Sequence, residues 1–329
     1  MTRTFKLIAA LLVGMIIICG YSFLTDKTHY TKWSIENIRP GNSEISWAPF
    51  VWSNDTISEK YFEKSAMHIP CKIEGLPFTF TFQFDLGANV SGLYENNVSS
   101  FYKKYPDLEN RFDRLRSPLQ FWTNKRAFKD LHISFANYKL SNKWSYFYND
   151  YGEKFYIDSS TPKDTFPIGT IGADLFENKT LIIDYPNQRF AICDTIPNLY
   201  NMVFSNIELD EVGRVLLPMS IKGKNYKILF DNGSSLFPLI VTDDKINSFS
   251  TLSNTDTLKV NSWGVYHNII GRFMTDSFQL AGLSFVNTKV YADFRSEQRT
   301  NQHDGTTGNF LFWDKTIIID FRNKKFGVK

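Results

Sequence analysis

The chain has 329 residues, 43% of them hydrophobic with 30 Phe and 16 Tyr, which excludes a disordered protein and allows one large or two medium domains. Its formal charge is only +3 and its basic residues are scattered, which argues against a phosphate-binding surface and a nucleic-acid partner. Aromatic and β-branched residues recur in short runs with no dominant helical period, so a mostly β protein is expected.

Residues 1–6 are short and basic, and residues 7–24 form an uncharged apolar run of about membrane-spanning length. Arg3 and Lys6 argue for a cytoplasmic N-terminus, with the body on the periplasmic or extracellular side. Residues 1–25 thus read as a signal anchor, or else as a cleaved signal peptide of a secreted chain. Cys19 before Gly20 faintly resembles a lipoprotein box, although Ile18 stands where a small residue is expected. Cys71 and Cys193 could form one disulfide or remain two isolated buried thiols. The histidines (His29, His68, His132, His267, His303) are dispersed and lie at no metal-site spacing, so neither a metal nor any other cofactor is expected.

Residues 30–62 are mixed and polar, with aromatics at Trp33, Trp47, Phe50 and Trp52, and read as a lead-in without a motif. Residues 67–75, M-H-I-P-C-K-I-E-G, then open a hairpin whose second strand runs through 80–93, F-T-F-Q-F-D-L-G-A-N-V-S-G-L. The alternation is that of a half-buried strand, and it ends in Asp85 with Gly87 two positions on. The same order returns at 216–223, L-L-P-M-S-I-K-G, and 226–236, Y-K-I-L-F-D-N-G-S-S-L, with Asp231 in the place of Asp85. In both copies a proline stands five residues before the turn glycine, Pro70 with Gly75 and Pro218 with Gly223. Either aspartate alone would simply satisfy turn N–H groups. A matched pair inside a matched repeat asks for more.

A second repeat sets residues 169–192 (G-T-I-G-A-D-L-F-E-N-K-T-L-I-I-D-Y-P-N-Q-R-F-A-I) against 305–328 (G-T-T-G-N-F-L-F-W-D-K-T-I-I-I-D-F-R-N-K-K-F-G-V) without a gap. Each copy reads as a strand into a glycine turn, a short helical turn and a β-hairpin. Asp184 and Asp320 sit where they would close those hairpins, whereas Asp174 has no counterpart because Phe310 replaces it. A weaker match joins 136–142 to 281–287. The first copy carries an insertion near 105–129, where Leu108, Phe112 and Leu115 fall on one helical face. Residues 144–156 and 262–267 read as hairpins that either cover a groove or lie on the surface.

Two similar halves, each with one Asp at a glycine turn, would bring two carboxylates face to face. Such a pair shares a proton. One member then takes a proton from water while the other donates to a carbonyl, which hydrolyses an amide without metal. An extended peptide, gripped like an added strand, suits a cleft between the halves.

The segments F-Q-F-D-L-G-A at 82–88 and I-L-F-D-N-G-S-S at 228–235 resemble the Asp-Thr/Ser-Gly motif of pepsin-like and retropepsin-like aspartic peptidases. The resemblance implies Asp85 and Asp231 as catalytic, with Gly87, Ala88, Asn232, Gly233, Ser234, Gly172 and Gly308 supporting the active-site loops. It implies an all-β, bilobal pepsin-like fold of two β-barrel-like lobes related by a pseudo-two-fold, here residues 26–200 and 201–329, acting as a monomer. The family's Thr or Ser is replaced by Leu86 and Asn232, and a leucine cannot reach into the partner loop with a hydroxyl. The alternative is therefore a catalytically impaired homologue that binds a peptide or partner protein in its cleft. A purely structural β-rich surface protein is the third reading.

Overall fold

Short alternating runs become strands throughout the described residues, because aromatic and β-branched residues suit a pleated, half-buried surface. The computed structural model describes residues 30–38, 45–113, 127–158, 160–161, 165–198, 202–293 and 303–329. The strands lie in sheets of nine, six and ten.

In the first half, Lys60–Ile73 turns back at Gly75 and pairs antiparallel with Phe80–Phe84, the strand that delivers Asp85. Phe166–Ile171 then runs parallel to Phe80–Phe84, with Ile171 opposite Phe84. The second half repeats this order with Val215–Ile221, Lys224–Phe230 and Gly305–Thr307. Phe80, Phe82 and Phe84 are buried, and so is Thr81, so the strand is sunk in the sheet more deeply than its alternation suggested. The weak match at 136–142 and 281–287 is real in form, since Ala136 and Ala281 both turn a hairpin with positive φ, 46° and 47°.

The six-stranded sheet draws on both halves. Thr180–Asp184 pairs antiparallel with Thr316–Asp320, its counterpart in the repeat. Thr180 faces Asp320 and Asp184 faces Thr316, so the pairing is symmetric about Ile182 and Ile318. Both isoleucines are fully buried. This seam holds the two halves in one fixed relation.

That sheet also corrects the expected fold. The all-β class stands, but two barrel-like, pepsin-like lobes do not: the ten-stranded sheet of the second half runs open from Asp256–Ser262 to Leu283–Phe285, and the six-stranded sheet belongs to both halves. The physical reason is that the hairpins ending each repeat leave their own half and pair with each other. Two further hairpins, Val51–Ile57 with Lys60–Ile73 and Asp256–Ser262 with Val265–Phe273, extend toward the opposite half instead of closing a wall.

Three other expectations change. Among the described residues no helix is long and apolar enough to cross a membrane, and the expected span at 7–24 lies outside them. The membrane anchor, the membrane partner and the location drawn from them are therefore not carried forward. Among its described residues the insertion is helical over Pro106–Asn110, followed by the strand Phe112–Asp113, and residues 114–126, Leu115 included, lie outside them. Residues 144–156 are not a two-stranded hairpin, because Tyr138–Tyr148 ends at a turn and no strand follows over 149–156.

Candidate active site

Each acidic turn is pinned to the strand beside it in the same way. The Asp85 N–H donates to the Ile171 carbonyl at 2.9 Å, and the Asp231 N–H to the Thr307 carbonyl at 2.8 Å. One turn later the Ala88 N–H returns to the Asp85 carbonyl at 3.1 Å, and Ser234 to Asp231 at 3.0 Å. The later glycines fit beneath. A side chain on Gly172 would strike the Ala88 carbonyl, and one on Gly308 the Ser234 carbonyl.

The two turns interlock across the seam. A methyl group at Gly87 would come within 2.6 Å of Asp231 Oδ2. The carboxyl groups of Asp85 and Asp231 lie close enough that each acts on the protonation of the other. Backbone donors orient both: Ala88 N–H meets Asp85 Oδ1 at 3.0 Å, while Gly233 and Ser234 N–H meet Asp231 Oδ1 at 2.9 and 3.2 Å. Asn232 is buried and reaches over the seam, where its Oδ1 accepts the Leu86 N–H at 2.5 Å. Leu86 is buried too and returns no side-chain hydrogen bond, so the clasp is one-sided.

Burial pushes the Asp85 carboxyl well above the ordinary carboxylate range, and the negative charge of Asp231 pushes it further. Asp231 is also raised by burial, but the neighbouring Asp85 carboxyl, the N–H groups of Ser234 and Gly233, and the Arg214 charge all oppose that rise. Burial and mutual repulsion disfavour two charges side by side, so the pair titrates as a unit.

Above the pair opens a cavity of about 440 Å³, lined by residues of both halves including Asp85, Asp231, Tyr151 and Phe237. The hairpin Asp256–Ser262 with Val265–Phe273 covers it, turning at Trp263 and Gly264 with positive φ at both. Trp263 crosses to the other half, its ring centroid 5.2 Å from those of Tyr148 and Tyr151. On the far side, Lys259 N–H donates to Ser58 Oγ at 2.8 Å, tying that cover to the Val51–Ile57 hairpin.

Asp184 and Asp320 lie away from the cavity lining and close their hairpins. Asp184 accepts from Asn187 Nδ2 at 2.9 Å and from Arg189 Nε at 2.8 Å, and Asp320 accepts from Asn323 N–H at 2.9 Å. Asp174 accepts from the N–H and Oγ of Ser91 at 2.8 and 2.6 Å, bracing the first acidic loop. Cys71 and Cys193 are both buried, and no disulfide joins the two. No cluster of three or more potential metal ligands occurs among the described residues. Sequence reasoning passed over Tyr94 and Tyr148, which come together through the parallel pairing of Gly92–Tyr94 with Tyr138–Tyr148. It also passed over Arg214 and the 51–64 segment, whose Ser53, Asn54 and Asp55 line the cavity.

No family model matches the chain, and no curated protein matches it either. The resemblance to pepsin-like and retropepsin-like peptidases is corrected accordingly. It is confined to short motifs around the acidic and glycine turns, and neither a family match nor a pair of closed barrel lobes accompanies it.

Proposed function

We propose that this chain hydrolyses peptide bonds through the carboxyl pair Asp85 and Asp231. The single observation that carries the reading is the interlock of the two turns, which sets each carboxyl against the other turn's glycine and leaves both lining one cavity. Charged Asp231 takes a proton from a water lying between the carboxyls as its oxygen attacks the carbonyl carbon. Protonated Asp85 donates to the carbonyl oxygen, and the tetrahedral intermediate then collapses with proton transfer to the leaving nitrogen. Burial supports this division, because it keeps one carboxyl neutral where an exposed aspartate would be charged.

The test is a peptide library incubated with the parent chain and with Asp85→Asn and Asp231→Asn. Cleavage by the parent alone supports the reading. Equal background cleavage by all three proteins sinks it.

A second reading is a cleft that binds a peptide or partner protein without turnover, and buried, apolar Leu86 favours it. A turn held from one side only loses positioning, and small misplacements of reacting groups are costly. Saturable binding of library peptides that remain intact would select this reading.

A further inference from the structure

Arg214 opens the Val215–Ile221 strand from a turn in which Gly213 adopts φ +88°. Asp210 organises that turn: its Oδ1 accepts the N–H groups of Val212 and Arg214 at 3.1 and 2.8 Å, and its Oδ2 accepts Arg214 Nε at 2.7 Å. The side chains of Arg214 and Asp210 are 16% and 2% exposed. A pair so enclosed is unlike a surface ion pair, since neither charge is solvated well enough to lose its partner cheaply. The fixed guanidinium reaches the other half of the molecule, where Nη1 donates to the Gly87 carbonyl at 3.4 Å. Gly87 is the residue whose α-carbon faces the Asp231 carboxylate.

We propose that Arg214 is a positioning residue of the carboxyl pair, tying the second half to the Gly87 turn and setting a fixed positive charge beside Asp231. Its activity readout rests on the hydrolytic reading above. The other groups whose charges act on the pair or its tyrosines are Tyr94, Tyr146, Tyr148, Tyr151 and Asp174, while Asp55, Asp293 and His267 line the same cavity, with His267 Nε2 3.6 Å from the Asp293 carboxylate. Arg214 alone among these favours the ionised form of Asp231. Removing it makes Asp231 harder to ionise, so the acid limb of the kcat/KM profile moves to higher pH.

The experiment compares the parent chain with Arg214→Gln and Arg214→Lys, after circular dichroism shows that each is folded. The pH profile of kcat/KM is measured alongside NMR titration of 13C-carboxyl aspartate, with Asp85→Asn and Asp231→Asn supplying the assignments. Arg214→Gln is expected to move the acid limb and the first titration of the pair upward by about one pH unit. It should also lower kcat about tenfold through lost positioning. Arg214→Lys keeps the charge but cannot span Asp210 and Gly87 together, so its limb stays in place while kcat falls about fivefold. A folded Arg214→Gln with an unmoved limb and unmoved titration overturns the proposal. If the Gln variant does not fold, a Lys variant with parental kcat and profile overturns it. Should the parent cleave nothing, the hydrolytic reading fails, and the carboxyl titration still decides whether Arg214 acts on the pair.

Discussion

A methyl group at Gly233 would lie 2.5 Å from the carboxyl carbon of Asp85, closer than real Cβ atoms come to a neighbouring atom. Gly87 faces Asp231 in the same manner, so each acidic turn is shaped around the other's carboxylate. Gly233→Ala must push Asp85 away or open the seam. The expected cost is about 1–3 kcal/mol of stability, from crowding in a close-packed site. Urea unfolding checks the stability, and the peptide assay should show activity falling far more than the fold does. An alanine variant that retains parental activity would show that the interlock is not needed.

Asn232 carries the one side-chain hydrogen bond exchanged between the residues that follow the two aspartates. Asn232→Ala leaves the buried Leu86 N–H without this acceptor, at an expected cost of about 1–3 kcal/mol. Asn232→Ser keeps an oxygen at that place and should recover part of the loss. Denaturant midpoints for the three proteins decide it, and equal losses in Ala and Ser would point to packing against Met67 and its surroundings instead.

The acidic turns were legible in the sequence because local chemistry specifies them. An alternating strand, an Asp and a glycine recur in both copies, and each hairpin forms with its turn at Gly75 or Gly223. Asp184 and Asp320 were legible for the same reason, as Asn187 and Asn323 close their turns. What stayed hidden depends on pairing between distant strands. Nothing in T-L-I-I-D or T-I-I-I-D says that Ile182 will face Ile318 rather than a strand of its own half. The 51–64 segment was hidden for another reason. Its strand Val51–Ile57 reads V-W-S-N-D-T-I and is largely exposed, so no apolar period marks it. Only Ile57 and Phe62 join the apolar cluster of the second half.

The coupled carboxyl pair makes stability depend on pH in a defined sense. Asp85 is raised in the folded chain, so above the ordinary carboxylate value the unfolded chain has released a proton that the folded one retains. Stability from this group is thus full at low pH and is lost as pH rises from the ordinary carboxylate range toward the raised value. Asp85→Asn removes the titration. The variant should be the more stable protein near neutrality, with the gap closing below about pH 4. Urea midpoints from pH 3 to 8 read this directly, and a constant gap would mean that Asp85 is not raised.

Cys71 and Cys193 are both buried, and burial pushes the Cys71 thiol upward, which leaves almost no thiolate to react. In the folded protein neither should react with a thiol reagent over minutes, and both should react in denaturant. A reducing agent should leave the melting temperature unchanged, because no bridge joins them. A drop in melting temperature on reduction would contradict the absence of a Cys71–Cys193 bridge.

Trp263 is the remaining test, because it joins a hairpin of the second half to tyrosines of the first above the carboxyl pair. Its ring lies 5.2 Å from Tyr148 and 5.2 Å from Tyr151, and Tyr148 is held in place by its hydroxyl donating to the Val90 carbonyl at 2.6 Å. An aromatic contact of this kind contributes about 0.5–1.5 kcal/mol beyond area burial. Trp263 is still 42% exposed, so its loss should scarcely change global stability. Trp263→Ala is instead expected to loosen the cover. Amide exchange should speed up across Asp256–Ser262 and Val265–Phe273 while the six-stranded sheet keeps its protection. Trp263→Phe keeps an aromatic ring and should restore most of the protection. Exchange rates that are the same in all three proteins would mean that the hairpin is held by Ser58 and the apolar cluster around Leu258, with no help from the tyrosines.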